Sequence, residues 1–232
     1  MLIDNAVIMA AGRSARLMPL SDDKPKGLFT VRGEVLIERQ IRQLQEAGVP
    51  HIYVVTGYKA EMFDYLSEKF HVTLLYNPEW STRNNHASIM AAGNILGNTY
   101  ICSSDNYFTV NPFAREADES YYAAVYAEGQ TKEWCMSEDE EGYISSVTIG
   151  GMNAWYMLGH AFWSADFSRR FLEILNHEYN LPETKEKLWE GIFILHLNEL
   201  KMRIRRYDQG VIHEFDTLKE LQAFDRTYLK YT

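Results

Sequence analysis

Arg13, Arg16, Lys24 and Lys26 stand within fourteen residues of one another, directly after an apolar run, Val7-Ile8-Met9-Ala10-Ala11, that breaks at Gly12. The chain as a whole carries a formal charge of −9, so this cationic cluster runs against its background. A local excess of positive charge in an acidic protein suits a small polyanion. A glycine-initiated loop leaves backbone N–H groups free to face such an anion. Arg adds forked contacts to phosphate oxygens, and Lys adds a mobile point charge. Two familiar phosphate loops do not fit. A dinucleotide fingerprint needs G-x-G-x-x-G, but Ser14 and Leu17 stand at its second and third glycines. A P-loop needs Gly-x4-Gly-Lys-Ser/Thr, and Leu17 stands at its second glycine. What remains is a loop from Ala10 through Ser14 flanked by Arg16 and Lys26.

The elements around the loop read as strands alternating with helices. Asn5–Gly12 reads as a strand and Leu36–Val49 as a helix, with Leu36, Ile37, Ile41, Leu44 and Ala47 on one face and Gly48 as its terminator. A strand over 51–58, a helix over 60–70, a strand over 72–78, a helix over 85–96 and a strand over 99–108 follow. This succession predicts an α/β, doubly wound, mainly parallel sheet that takes its ligand at the carboxyl ends of the strands. After Pro112 the pattern changes to four short strand-like runs, which predict small antiparallel additions. Two helices over 165–180 and 185–200, a strand over 202–208 and a last helix after Thr217 close the chain. No repeat or linker interrupts this order, so residues 1–232 read as a single domain.

Composition narrows the class. The chain is 232 residues long and 46% hydrophobic, which is enough for a full core. No apolar run approaches the roughly 18 residues that a membrane helix needs, and the start has no signal-peptide pattern. Two cysteines, Cys102 and Cys135, without metal-ligand spacing predict a reducing, cytoplasmic setting. Net acidity argues against nucleic acid as a partner.

The loop's spacing resembles the signature of the sugar-nucleotide and phosphocholine nucleotidyltransferases, A-A-G-x-G-x-R-L-x-P-L-T followed by P-K. Ala10-Ala11-Gly12, Arg16-Leu17, Pro19-Leu20 and Pro25-Lys26 stand in register with it, with Ser14 replacing the second glycine. The resemblance implies a Rossmann-like nucleotidyltransferase fold in which Ala10, Ala11, Gly12, Arg13 and Ser14 wrap the triphosphate of an NTP. Arg16 and Lys26 would then be catalytic, contacting phosphates at the reacting centre.

Bringing an oxyanion up to a triphosphate requires a divalent cation, and Mg2+ favours one or two carboxylates plus phosphate oxygens. Asp105, in Ser103-Ser104-Asp105-Asn106-Tyr107, lies at the carboxyl end of a strand of the parallel series. Asp216 lies in Glu214-Phe215-Asp216-Thr217, and in isolation it could equally start the last helix. The resemblance pairs such acids, so Asp105 and Asp216 are expected to hold Mg2+, with Ser104 beside the nucleotide.

Further motifs resemble the bacterial CTP:phosphocholine cytidylyltransferases along essentially the whole chain. Asn84, Asn85 and Ser88 match an Asn-Asn-x-x-Ser pattern that implies contact with a cytosine, so CTP is the implied donor. Tyr107, Glu133-Trp134, Trp189-Glu190 and Glu214 match positions implied to bind the acceptor, phosphocholine. Aromatic faces with carboxylates suit a quaternary ammonium, which has no N–H to donate. Glu190 stands where that family tends to have Asp. Oligomeric state is not legible. Two alternatives stay open: the same chemistry on a sugar 1-phosphate or an aminoalkyl phosphonate, and a non-catalytic CTP-sensing module.

Overall fold

The computed structural model describes residues 1–231. Strands run over Asn5–Ala10 (β1), Thr30–Val31 (β2), Glu34–Val35 (β3), Ile52–Thr56 (β4), Thr73–Tyr76 (β5), Thr99–Ser103 (β6), Asn106–Phe108 (β7), Tyr121–Glu138 (β8), Ile144–Trp163 (β9), Arg203–Tyr207 (β10) and Ile212–Glu214 (β11). Helices run over Leu20–Asp23 (α1), Leu36–Glu46 (α2), Tyr65–Phe70 (α3), His86–Ala91 (α4), Ala165–Glu178 (α5), Trp189–Leu195 (α6) and Leu218–Phe224 (α7). The central sheet has the order β10-β8-β9-β6-β1-β4-β5. β5, β4, β1 and β6 are mutually parallel, β9 runs antiparallel to β6, and β8 pairs antiparallel with β9. The fold is the mainly parallel, mixed, Rossmann-like sheet expected from the alternation.

After Asn5, β1 is apolar because both its faces are covered. Ala6, Ile8 and Ala10 face one core together with Ile37, Ile41 and Leu44 of α2. Val7 faces the opposite core together with Phe167, Phe171 and Leu175 of α5 and Trp189, Ile192 and Phe193 of α6. A third cluster decides the site. Leu17, Leu20, Phe29 and Val31 of the cationic segment pack with Tyr107 of β7, Phe215 and Leu221. That packing brings the segment carrying Lys26 against the turn carrying Asp216.

Several expectations about the elements change. The strand expected over 99–108 divides into β6, in the central sheet, and β7, which pairs with β11 in a sheet of its own, because the turn through Ser104 and Asp105 redirects the chain. The four short runs after Pro112 are two long strands, β8 and β9, paired as one bent hairpin. Gly129 and Gly150 take left-handed φ of 78° and 81° at the bend, and the Gly129 N–H donates to Asn153 Oδ1 at 2.8 Å. The helix expected over 185–200 is regular only over Trp189–Leu195. Ahead of it, the Lys185 carbonyl accepts from Asn84 N–H and the Lys187 carbonyl meets His86 Nδ1, so both serve α4 instead of their own helix. No helix among the described residues is long and apolar enough to cross a membrane.

Candidate active site

β1 ends at Ala10, and the chain turns through Gly12 into Ser14, which sits in the left-handed region at φ 54°. That conformation favours glycine, the residue the signature has there. Ala10, Ala11, Gly12, Ser14, Lys26, Asn84, Asn85, Ser88, Ser104 and Asp105 line one cavity of about 220 Å3. A second cavity of about 340 Å3 adjoins it and shares Ser14, Lys26, Asn85 and Asp105 with it. Arg16, Tyr122, Glu190, Glu214 and Asp216 line the far side of this second cavity. Gly27 must be glycine here, because a Cβ would come within 2.9 Å of Ser104 Cβ. The close approach presses Lys26 against the end of β6.

Lys26 is 5% exposed. Its Nζ donates to Asp105 Oδ2 at 2.6 Å and to Asp216 Oδ1 at 2.9 Å, across 190 positions of sequence for the latter. Loss of water opposes the ammonium charge, but Asp105 and then Asp216 outweigh it and hold the pKa above its ordinary value. Asp216 also accepts from the exposed Arg16 at 2.9 Å. Burial works against its charge, yet Lys26 and Arg16 keep the carboxyl below its usual range. Arg13 instead pairs with Asp22 at 3.0 Å and lines neither cavity.

Asp105 and Asp216 come together, and Glu214 joins them. One carboxylate oxygen from each of the three lies within 4.8 Å of the others. The antiparallel pairing of β11 with β7 sets Glu214 opposite Asn106, next to Asp105. Asp105 Oδ1 is buried without a hydrogen-bond partner, as an atom awaiting a cation would be. A set of hard oxygen donors suits a small divalent cation. Glu214 is pushed well above its ordinary pKa, first by loss of water and then by Asp105 and Asp216. Glu190 is pushed up to about 7, chiefly by loss of water. Its Oε1 accepts from the Tyr122 hydroxyl at 3.2 Å and its Oε2 from Asn85 Nδ2 at 3.1 Å.

The expected two-tryptophan cage is not assembled. Trp189 is 1% exposed, stacked on Tyr122 at 5.6 Å and edge-on to Trp163 at 5.0 Å. As the first residue of α6 it anchors that helix in the core, and the next residue, Glu190, reaches the cavity. Glu133 lines a third cavity of about 430 Å3, between the bent hairpin and α7, together with Tyr156, Glu214 and Phe224. Trp134 is half-buried and outside that wall. Tyr107 is buried against Phe224, with the Arg39 guanidinium 4.6 Å from its ring centre, and it lines none of these cavities. Asn84 and Asn85 lie at the first cavity, but both amides are spent on the protein. Asn84 Nδ2 donates to the Glu186 carbonyl at 3.0 Å, and Asn85 Oδ1 accepts from Trp189 N–H at 2.7 Å.

Asn77, Trp80 and Arg83 also line the first cavity and were not singled out from sequence. A signal existed: Asn77-Pro78 directly follows a parallel strand, where such sheets present ligand groups. Gly57 makes room for Trp80, whose Cβ would lie 2.5 Å from a Cβ at that position.

A model of the MobA-like NTP transferase domain matches residues 6–178, from β1 to the end of α5. The chain belongs to that family. It is a nucleotidyltransferase, and its MobA-like core carries both the cationic loop and Asp105. Among its relatives is the choline-phosphate cytidylyltransferase of Streptococcus pneumoniae, 29% identical over 95% of this chain and 96% of that protein. Another is the 2-aminoethylphosphonate cytidylyltransferase of Lancefieldella rimae, 34% identical over 97% of this chain and 93% of that protein. The solved structure of the CTP:phosphocholine cytidylyltransferase from Streptococcus pneumoniae superposes with a TM-score of 0.92, at 29% identity, covering 98% of this chain and 99% of that one. An inositol-1-phosphate CTP transferase from T. maritima, at 14% identity and a TM-score of 0.74, shares the fold.

Proposed function

We propose that this MobA-like enzyme is a cytidylyltransferase that moves CMP from CTP to phosphocholine, giving CDP-choline and pyrophosphate. The observation that carries this reading is the acidic wall of the second cavity. Glu190 and Glu214 stand there beside the Asp105–Asp216 pair, with Lys26 and Arg16 as the nearby cations. Such a wall would repel an anionic acceptor tail and favour one that carries a positive charge. The adjoining first cavity, walled by the glycine loop and Lys26, suits the triphosphate.

In the reaction a phosphate oxygen of the acceptor attacks the α-phosphorus of CTP in line. The bond to the bridging oxygen breaks, and pyrophosphate leaves with that electron pair. No covalent protein intermediate is needed. Mg2+ held by Asp105 and Asp216 would neutralise phosphate charge and polarise the reacting phosphoryl group. Lys26 and Arg16 are placed to leave their aspartates for phosphate oxygens, stabilising the charge that develops on the leaving group. Glu190 and Glu214 orient the acceptor through its cation. The residues supporting nucleotide contact are Ala10, Ala11, Gly12, Ser14, Ser88 and Ser104, all in the first cavity's wall.

A second reading, 2-aminoethylphosphonate as acceptor, is favoured by two observations. The Lancefieldella rimae relative is named for that activity, and Trp189 is in the core instead of a cage. A primary ammonium is served by carboxylates alone. Pyrophosphate release, measured with Mg2+, each NTP and a panel of acceptors, separates the readings. The highest kcat/KM for CTP with phosphocholine supports the proposal, and the highest for 2-aminoethylphosphonate moves it to the second reading. A preference for a hexose 1-phosphate would refute both, and no turnover with any pair would leave a CTP-binding module.

A further inference from the structure

Asn85 stands in the walls of both cavities, at the point where the nucleotide and acceptor spaces meet. It is the residue before α4, a place where an Asn side chain ordinarily caps its own helix. Here it makes no such cap. Its amide instead crosses to α6, 104 and 105 positions further on. Oδ1 accepts from Trp189 N–H at 2.7 Å, and Nδ2 donates to Glu190 Oε2 at 3.1 Å. Its backbone N–H is also taken, by Asn84 Oδ1 at 2.8 Å.

An amide that read a pyrimidine would need its oxygen and its nitrogen turned toward the base together. Turning Asn85 that way would break both bonds to α6, leaving the first N–H of that helix and one oxygen of Glu190 without partners. Leaving such groups unsatisfied is expensive in an enclosed site. Meanwhile Tyr122, fixed by its stack on Trp189, holds the other oxygen of Glu190 at 3.2 Å. Asn85 and Tyr122 therefore grip one carboxylate from two sides.

We propose that Asn85 is a positioning residue for the acceptor, and not a reader of the base: it fixes the start of α6 so that Glu190 faces the acceptor's cationic group. The proposal rests on the reading above that the acceptor carries a positive charge near Glu190. It makes the carboxylate's direction depend on a residue of the nucleotide cavity, so the two substrate spaces share one bracket.

The test is a double-mutant cycle of Asn85→Ala and Glu190→Ala, reading steady-state kinetics with phosphocholine and urea unfolding on the same four proteins. Asn85→Ala is expected to raise the KM for phosphocholine roughly tenfold, the usual effect of losing one hydrogen bond to a charged group. kcat, the KM for CTP and the preference for CTP over UTP should stay within about twofold of wild type. Once Glu190 is Ala, removing Asn85 should add little. Asn85→Asp, which keeps the bond to Trp189 N–H but sets a second carboxylate against Glu190, should fold and should raise the acceptor KM further. Loss of the CTP preference with an unchanged acceptor KM would overturn the proposal and restore Asn85 as a base reader. Additive KM effects alongside a large effect of Glu190→Ala would overturn Asn85's role while sparing the acceptor reading. Coupling seen in unfolding, with no effect of Glu190→Ala on acceptor KM, would overturn the acceptor reading and this role with it.

Discussion

Glu190→Gln should make the free protein more stable above neutral pH while making it a worse enzyme. The carboxyl is pushed from an ordinary 4.5 to about 7, mainly by loss of water contact. An acid whose folded pKa lies above its unfolded value costs nothing below pH 4.5, where both states are protonated. The cost grows between pH 4.5 and 7 and is constant above that. At about 1.4 kcal/mol for each tenfold change in proton affinity, the full penalty is about 3 kcal/mol. Glu190 keeps some access to water through the cavity mouth, so a screened value of roughly 1–3 kcal/mol is the better expectation. Gln avoids the penalty and keeps both partners, since its oxygen can accept from Asn85 and its amide can donate to the Tyr122 hydroxyl. Urea unfolding of both proteins at pH 5 and pH 8 checks this. Little difference at pH 5 and a clear gain for Glu190→Gln at pH 8, with acceptor KM raised at least tenfold, is the expected result. Equal stabilities at both values would refute the claim that burial raises the pKa of the Glu190 carboxyl.

Other consequences follow from the same geometry. Trp189→Ala should cost about 3–5 kcal/mol of stability, the usual loss for a large buried aromatic. An acceptor-specific KM defect without that loss would restore the tryptophan cage. Lys26→Met should lower kcat by about 100-fold, and it should melt well below wild type without divalent cations, since three carboxylates are left facing one another. Added Mg2+ should recover most of that melting temperature, and a Tm indifferent to Mg2+ would argue against a cation site there. Asp105→Asn should lower turnover by at least 100-fold with little change in Tm, checked by pyrophosphate release and thermal unfolding.

The parallel half of the fold was legible because each strand is apolar on both faces and each helix has one apolar stripe. The cationic loop was legible because Gly12, Arg16, Pro19, Pro25 and Lys26 are spaced as a signature. The bent hairpin was not, because Gly129 and Gly150 read locally as strand ends, whereas tertiary pairing carries the strands through them. Trp189-Glu190 shows a second limit. An aromatic beside an acid does not reveal which of the two faces a cavity, and here Trp163, Phe171 and Tyr122 claim the indole. Glu214 as a third carboxylate beside Asp105 was within reach, since it stands only two residues from Asp216. The spent amides of Asn84 and Asn85 were not, because their partners lie about a hundred positions away.

The account depends on Lys26 and Arg16 exchanging two aspartates for a triphosphate when the cation arrives. A crystal structure with Mg2+ and a non-hydrolysable CTP analogue tests this most directly. The expected result places Mg2+ about 2.1 Å from carboxylate oxygens of both Asp105 and Asp216, with Lys26 Nζ moved onto a phosphate oxygen. A nucleotide bound with Lys26 still bridging the two aspartates, and the cation elsewhere, would contradict it.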